Sequence, residues 1–387
     1  MTRDLQNIQT RHRLISIDAL RGLVMLFMLV DHARETIYLH MQVSDPMDAG
    51  SVDPGLFFTR LLSSICAPAF VFLTGLSAYL YGQFHSRQET SLFLLKRGLF
   101  LMLLEITVIG FAWTGQFPPE KFYLQVIWAI GVSMVALAGL IHLPRLLLLV
   151  ITVLIIAGHN LLDSISFEPG TVLYIPWAML HEKVFFDIGF GMQAKTTYPV
   201  LAWIGVISFG YIIGPWFGKQ VNTDERLKNL IRYGLAMLAA FIVIRTLNVY
   251  GDKPWIVYDN ALQTTMAFLN LTKYPPSLLF LLSTLGVSFI LLAHFEKAQQ
   301  GSWVIEKMAI LGGAPMFFYI LHLYVLKILY LVALLLFGKT KGAYYGVDHL
   351  YMVWVWSVAL IVPLYYPSAW FADLKSRRRD IRWLRYF

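Results

Sequence analysis

The segment LISIDALRGLVMLFMLVDHARETIYL, from Leu14 to Leu39, decides the fold class of this chain. It is apolar enough to cross a lipid bilayer, yet it carries several ionisable side chains. These include Asp18, Arg21, Asp31, His32 and Arg34. An ionisable group in a membrane helix costs about 3 kcal/mol or more unless it is paired or faces a wet cavity, so such groups indicate functional sites. The segment therefore predicts a transmembrane helix with a functional polar face.

The polar residues of this segment follow a helical repeat. At about 100° per residue, Asp18, Arg21 and His32 fall on one face of the helix, together with Met25 and Met28. Asp18 and His32 are about 21 Å apart at ~1.5 Å per residue, in a hydrocarbon core of about 30 Å. A single cavity along this face would therefore open to both sides of the membrane.

The composition indicates a polytopic membrane protein. Of the 387 residues, 58% are hydrophobic and 14% are charged, whereas soluble proteins have about 25% charged residues. We expect an all-α bundle in one integral membrane domain over residues 1–387, with about ten transmembrane helices, or eleven if the ninth is broken at Pro315. The predicted spans are 14–38, 56–82, 93–113, 122–141, 145–163, 199–218, 229–249, 277–295, 309–337 and 351–371.

The distribution of Lys and Arg predicts the orientation. If the N-terminus faces the cytoplasm, the inner segments hold most of these residues and the outer loops hold few. We therefore expect a multi-pass membrane protein with both termini in the cytoplasm. The net charge of +8 follows this topology, and no basic soluble face indicates nucleic-acid binding.

Several classes of chemistry have no support in the sequence. The single cysteine, Cys66, excludes an internal disulfide and a cysteine cluster for zinc. No phosphate-binding glycine loop is present, so ATP-driven chemistry is not expected. No histidine pair has the helical spacing of a metal site, so we expect no metal.

The polar face suggests two kinds of chemistry. A free imidazole titrates near neutrality, so His32 could act as a general base, or it could be a histidine that is hydrogen-bonded between helices. Asp18 and Arg21 could form a local salt bridge. Arg21, with Lys96 and Arg97 at the inner start of the third span, could also hold the phosphates of an anionic cytoplasmic donor. Lys96 and Arg97 are equally explained as topology anchors.

Two further ionisable residues lie in the middle of predicted spans. We expect Glu105 to turn inward towards a cation such as Arg97 or Arg21, and His322 to face the cavity or a backbone carbonyl. Arg60 lies near the outer end of its helix. The outer loops are long and rich in aromatic and acidic residues, which suits a polyhydroxylated ligand, although aromatic belts are common in membrane proteins.

The run RLISIDALRGLVMLFMLVDHAR resembles the start of the transmembrane acyltransferase family that includes heparan-alpha-glucosaminide N-acetyltransferase. The runs LFFTRLLSSICAPAFVFLTG, TYPVLAWIGVISFGYIIGPWFG, LTKYPPSLLFLLSTLG and APMFFYILHLYVLK are similar to its bacterial branch. The resemblance implies a catalytic core over residues 14–250, completed by helices in 251–387. It also implies acetyl transfer from cytoplasmic acetyl-CoA to an amine or hydroxyl of an extracytoplasmic carbohydrate.

The resemblance also implies roles for single residues. In the heparan enzyme an asparagine aligns with His32 and the proposed catalytic histidine follows in the outer loop, so the base is open between His32 and His40, with His32 favoured. The proposed catalytic residues are His32, Asp31, His40, Arg34, Arg60 and His322. The proposed acetyl-CoA-binding residues are Asp18, Arg21, Lys96, Arg97 and Lys273, which lies in the KYPPS turn.

A different class of protein is the alternative. A proton-coupled secondary transporter of a small polar or anionic solute could use Glu105, His322 and Asp18 as proton carriers. Transporters usually contain internal repeats with matched broken helices, and no convincing repeat is visible in this sequence. Under either hypothesis the lipid bilayer is a partner, and a homodimer is possible.

Overall fold

The computed structural model describes residues 14–38, 47–218, 220–298, 302–378 and 380–387, and most of them are helical. The helices are α1 (Ile15–Ile37), α2 (Pro54–Ser63), α3 (Cys66–Gly82), α4 (Arg87–Leu104), α5 (Gly110–Thr114), α6 (Val126–Leu140), α7 (Arg145–Gly158), α8 (Tyr174–Leu180), α9 (Leu201–Ile213), α10 (Thr223–Leu247), α11 (Ala261–Leu269), α12 (Leu278–Ala298), α13 (Trp303–Leu311), α14 (Pro315–Phe337) and α15 (Leu350–Arg377). Short 3₁₀ turns follow at His159–Leu162, Gly214–Phe217 and Arg382–Tyr386, and a π-helical turn spans Glu105–Ile109.

The described residues contain six helical segments that are long and apolar enough to cross a membrane. They are Pro54–Gly82, Arg145–Leu162, Thr223–Leu247, Leu278–Ala298, Pro315–Phe337 and Leu350–Arg377. Helix α1 is long enough as well, but its charged residues keep it outside this set. The protein is therefore an integral membrane protein, while the count of ten or eleven spans and the orientation stay predictions.

Two predicted spans are interrupted. The ninth is divided between α13 and α14, so of the two alternatives for this span, a tilted helix or one broken at Pro315, the structure has the broken one, with this proline as the first residue of α14. Proline suits that position since its missing N–H would have no partner in the first helical turn. The second span divides at Ser64 and Ile65 between α2 and α3.

A small sheet corrects the all-α prediction. Strands β1 (Lys121–Leu124), β2 (Phe185–Gly189) and β3 (Met192–Thr196) form it in the order β1-β3-β2. Strand β1 pairs in parallel with β3, and β2 pairs with β3 in antiparallel fashion. The prediction that a helix begins at residue 122 was wrong, because those residues pair with a strand about seventy positions away and this pairing leaves no local pattern.

Helix α1 lies in the centre of the bundle. It packs against α2 and α3 on one side and against α12 to α15 on the other. Gly22 and Gly312 allow α1 and α13 to approach closely, because a Cβ added to Gly22 would overlap the carbonyl group of Met308 and one added to Gly312 would overlap that of Asp18. Small residues at helix crossings are the usual means of packing helices in membranes. The polar face of α1 is therefore enclosed by other helices.

Candidate active site

The carboxylate of Asp31 is surrounded by guanidinium groups near one end of α1. Its Oδ1 accepts hydrogen bonds from Nε and Nη2 of Arg34 at 3.3 and 3.2 Å, and its Oδ2 pairs with Nη1 of Arg60 from α2. Arg34 also pairs with Glu35 at 3.1 Å. Asp31, Arg34 and Arg60 are buried. Buried opposite charges hold one another in place, and removal of one leaves its partner uncompensated. The structure thus brings these three predicted site residues together as a network of ion pairs.

His32 and His322 contact each other between α1 and α14. Nδ1 of His32 lies 2.7 Å from Nε2 of His322, and the ring planes are 10° apart. Nδ1 of His322 lies 2.9 Å from the carbonyl oxygen of Phe318, which can only accept a hydrogen bond. When both rings are neutral, His322 therefore donates from Nδ1 and accepts at Nε2, and His32 donates from Nδ1. The lone pair of His32 is then on Nε2, which makes no hydrogen bond with any residue that the structure describes.

Two buried donors flank the His32 ring, and the sequence analysis missed both. The ring centroids of Trp113 and Tyr319 lie 5.1 and 5.8 Å from that of His32, each edge-on. Nε1 of Trp113 lies near the hydroxyl of Tyr319, but neither group makes a hydrogen bond of good geometry with a described residue. Buried polar groups are nearly always paired, so two unpaired donors beside one imidazole indicate a place where another group binds. Tyr319 could have been found from its position one helical turn before His322, but nothing in the sequence connects Trp113 with His32.

Glu105 lies at the start of the π-helical turn between α4 and α5 and is fully buried. The prediction that it pairs with Arg97 or Arg21 was wrong. Its Oε2 accepts a hydrogen bond from the backbone N–H of Trp128 at 3.1 Å, and its Oε1 has no partner among the described residues. A backbone donor reaches the carboxylate because α6 begins beside it, and single π-helical turns are frequent at functional sites.

Arg21 lies towards the other end of α1. Its Nη1 pairs with Oδ1 of Asp18 at 2.8 Å, which is the predicted local salt bridge. Its Nη2 donates to the carbonyl of Leu73 at 3.4 Å and to the hydroxyl of Ser77, both on α3. The Arg21 side chain keeps 20% of its surface exposed. One guanidinium thus joins α1 to α3 and still reaches the surface.

Arg97 and Lys96 differ although they are neighbours on α4. Nε of Arg97 is buried without a hydrogen-bond partner among the described residues, and Arg97 lies close enough to Arg21 to be repelled by it. The Lys96 side chain is exposed. Successive residues of a helix point about 100° apart. The structure therefore brings Arg97 to Arg21 and leaves Lys96 on the outer surface of the bundle.

A cavity of about 60 Å³ connects the surroundings of Arg97 with Tyr319, which contacts His32. It is lined by Met28, Phe70, Thr74, Arg97, Leu101, Val126, Ile127, Ile130, Pro315, Met316 and Tyr319. This volume holds a few water molecules. A longer ligand would need the lining side chains to move, and methionine is the side chain that adapts most easily.

Lys273 lies at the Asp31 end of α1 and away from Arg21, with which it was predicted to bind the donor. Its ammonium group is 5.4 Å from the ring centroid of Tyr274, whose hydroxyl accepts a hydrogen bond from Nη2 of Arg60 at 3.2 Å. Lys183 lies over the same ring at 4.8 Å. Lys273 lies in the turn after α11, and this turn is held next to α2 by the hydrogen bond between Tyr274 and Arg60. Lys273 therefore belongs with the Asp31 network.

More lysines lie on the small sheet. Ammonium groups of Lys121 and Lys195 approach the ring of Phe185 at 5.8 and 4.5 Å. Burial, together with the positive charges of Lys183 and Lys121, lowers the pKa of Lys195 below its ordinary value. The side of the molecule next to Tyr274 is therefore electropositive. His40, the other proposed base, lies outside the described residues.

These features define an integral membrane protein whose central helix carries Arg21 towards one end and, towards the other, the His32–His322 pair beside the ion pairs of Asp31, Arg34 and Arg60. Over residues 13–251 the sequence matches the family described as heparan-alpha-glucosaminide N-acetyltransferase, catalytic. This match covers more than half of the chain, and the protein belongs to that family. No curated protein matches the chain. The family and the apolar helices together indicate a membrane acetyltransferase.

Proposed function

We propose that this protein transfers an acetyl group from cytoplasmic acetyl-CoA to an amine or hydroxyl group of an extracytoplasmic glycan or glycoconjugate. The observation that carries the proposal is the His32–His322 pair, because its hydrogen bonds leave a free lone pair on Nε2 of His32. The same helix carries Arg21, so one rigid element joins a cationic region with a base.

The proton transfer follows from the tautomers of the two rings. Nε2 of His32 removes the proton from the acceptor amine or hydroxyl as that atom attacks the thioester carbonyl. The imidazolium that forms keeps its Nδ1–H bonded to Nε2 of His322, which stabilises the positive charge. The C–S bond then breaks, and the proton passes from His32 to the CoA thiolate. His322 is a positioning residue in this scheme, since it fixes the tautomer of His32 without touching the substrate.

The oxygen of the thioester carbonyl gains negative charge during the attack. Trp113 Nε1–H and the Tyr319 hydroxyl are the donors that we assign to this oxygen, because both flank His32 and neither makes a hydrogen bond of good geometry with a described residue. Preorganised donors of this kind are usually the largest single contribution to acyl transfer. Asp31, Arg34 and Arg60 would keep α1 and α2 in position beneath the reacting groups.

The donor, acetyl-CoA, would bind at the end of α1 that carries Arg21. Guanidinium groups hold phosphate oxygens through paired hydrogen bonds, and Arg97 has no acidic partner among the described residues. The phosphates of acetyl-CoA would lie between Arg97 and Arg21, and the thioester would extend towards Tyr319. Because the cavity has only about 60 Å³, this binding requires Met28 and Met316 to move aside.

The acceptor would enter beside Tyr274. An aromatic face with flanking ammonium groups suits a sugar, because the ring stacks on the sugar while Lys183 and Lys273 donate to its oxygen atoms. On this arrangement the acceptor atom approaches His32 from the side opposite to the donor.

The proposal is tested with purified protein, ¹⁴C-acetyl-CoA and glucosamine as the probe acceptor. In liposomes with acetyl-CoA enclosed and glucosamine outside, we expect acetylglucosamine to form outside. A proton-coupled transporter would instead bind no acetyl-CoA and form no product, and that outcome would overturn the proposal. Vesicles with the reverse arrangement serve as the control for sidedness.

The chemistry leaves two routes, transfer in one step or through an acetyl group carried on His32. Rapid quenching after mixing with ¹⁴C-acetyl-CoA alone separates them. Label on the wild-type protein that is absent from H32A indicates the covalent route. Absence of label, with full activity once glucosamine is added, indicates direct transfer.

A further inference from the structure

His159, Asp163 and His181 form a cluster that plays no part in the proposed acyl transfer. His159 begins the 3₁₀ turn after α7, Asp163 follows that turn, and His181 follows α8. One potential ligand atom from each residue lies within 4.8 Å of the others. No metal was expected from the sequence, because no histidine pair has the helical spacing of a metal site, and His159 and His181 are 22 residues apart. The fold brings them together.

The imidazoles of this cluster are buried and largely unpaired. His159 and His181 are 1% and 3% exposed. Neither ring nitrogen of His159 makes a hydrogen bond of good geometry with a described residue, and Nδ1 of His181 also has no partner there. The one pairing is between Nε2 of His181 and Oδ1 of Asp163, at 2.9 Å. One ring nitrogen of His159 lies near the backbone carbonyl of Pro276, but no well-formed hydrogen bond results, so these buried nitrogens are available to bind another group.

We propose that His159, Asp163 and His181 bind a divalent zinc ion, with water as the fourth ligand. Two imidazoles and one carboxylate are typical zinc ligands, whereas calcium and magnesium require mostly oxygen ligands. Half of the Asp163 side chain is exposed, which gives the ion a route from solvent and leaves room for water. A small closure of the cluster brings the three ligand atoms to zinc distances of about 2.0 to 2.2 Å.

The surroundings of the cluster fit this assignment. Asn160 donates from Nδ2 to Oδ2 of Asp163 at 3.0 Å, which orients the carboxylate as partners of metal ligands do. The Trp177 ring packs 5.2 Å from that of His181 and limits the movement of its imidazole. Asn160 and Trp177 therefore restrict the movement of Asp163 and His181, two of the three proposed ligands.

The zinc ion would have a structural role. Oδ1 of Asn160 accepts a hydrogen bond from the backbone N–H of Leu278 at the start of α12. The segment after His181 forms β2 and β3 and leads to Tyr198, whose hydroxyl lies 3.3 Å from that of Tyr274. A metal between α7 and the end of α8 would therefore fix the segment that supports Tyr274, without contact to His32.

Zinc content and thermal unfolding test the site. The full chain is purified with an affinity tag that contains no histidine, dialysed against micromolar zinc and analysed for bound metal. We expect about one zinc ion per chain and a melting temperature that rises with zinc concentration. D163N, H159Q and H181Q should each weaken zinc binding by at least about tenfold. H349Q, which removes an exposed histidine away from the cluster, should bind zinc as the wild type does.

Two results would overturn the site. Wild-type protein that holds no zinc above the level of H159Q shows that the histidines are only packed against each other. Equal zinc binding by wild type and D163N removes Asp163 as a ligand. Because Asp163 is half exposed, D163N tests the site even if a buried histidine variant fails to fold. Cobalt(II) spectra of the same proteins report the ligand geometry and do not depend on acetyl transfer.

Discussion

The two ends of α1 differ in how their charges are compensated. At one end Asp31 and Glu35 meet Arg34 and Arg60, so positive and negative groups are matched within the protein. At the other end Asp18 compensates Arg21, but Arg97 has no acidic partner among the described residues. We infer that the buried ion pairs of the first end need no ligand to balance their charge, whereas Arg97 at the second end needs an anion. We call the end with Asp31 the compensated end and the end with Arg97 the uncompensated end. The His32–His322 pair lies beside the compensated end.

The largest expected effect concerns the histidine pair. H32A should lower the rate of acetyl transfer by about 10²- to 10⁴-fold, because it removes the general base. The measurement is transfer of label from ¹⁴C-acetyl-CoA to glucosamine at saturating donor. H294A changes an exposed histidine of α12 and should keep wild-type activity. If folded H32A retains its rate and H40A does not, the base is His40.

At the compensated end, removal of one charge should lower the free energy of unfolding. D31N leaves Arg34 and Arg60 buried without their carboxylate, so we expect a loss of about 3 to 5 kcal/mol in the free energy of unfolding. Unfolding in detergent, followed by circular dichroism, measures this loss. D373N breaks an exposed ion pair with Arg377 on α15 and should cost about 1 kcal/mol or less. Equal effects of the two variants would contradict the comparison.

At the uncompensated end, removal of a charge should not lower the stability of the protein but should weaken donor binding. R97M should keep or raise stability, because it removes a partly buried charge that has no acidic partner among the described residues. It should also weaken acetyl-CoA binding by about 10- to 100-fold, the effect of losing a charged hydrogen bond. Binding of ¹⁴C-acetyl-CoA to detergent-solubilised protein measures the affinity. K96M, one residue away but exposed, is the matched control, and an affinity loss as large as that of R97M would refute the assignment of Arg97.

The smallest effect concerns the packing that holds α1. G22A forces a methyl group against the carbonyl of Met308, so we expect about 1 to 3 kcal/mol of destabilisation. G139A adds the same methyl group to α6 where no atom lies within 4 Å, and should be neutral or stabilising by up to about 1 kcal/mol. Thermal unfolding of both variants in the same detergent compares them directly.

The sequence predicted the central features of α1 but not the contacts that the fold makes over long distances. Local periodicity and the cost of polar groups in a bilayer indicated the polar face and the inward orientation of His322. The same reasoning predicted the salt bridge between Asp18 and Arg21, since those residues are three positions apart. All of these depend on one helix at a time.

The features that sequence reasoning missed join elements far apart in the chain. Trp113 of α5 approaches His32 of α1, and Glu105 of the π-helical turn accepts the N–H of Trp128 in α6, although both pairs are far apart in the chain. Lys273 was assigned to the wrong end because its turn reaches Arg60 through Tyr274. The pairing of β1 with β3 likewise has no local signal. The role of each proposed site residue stays a prediction until the variants above are measured.

The rigidity of α1 has a consequence for the choice of donor. Arg21 and His32 are separated by about 16 Å at ~1.5 Å per helical residue, and Gly22 and Gly312 let α1 pack closely against α13. The helix therefore sets the distance between the phosphate-binding residue Arg21 and the base His32. A thioester donor whose phosphates lie closer than this to its acyl carbon could not place the phosphates at Arg21 and the acyl carbon at His32 at the same time. The protein would therefore select its donor by the distance between those two groups.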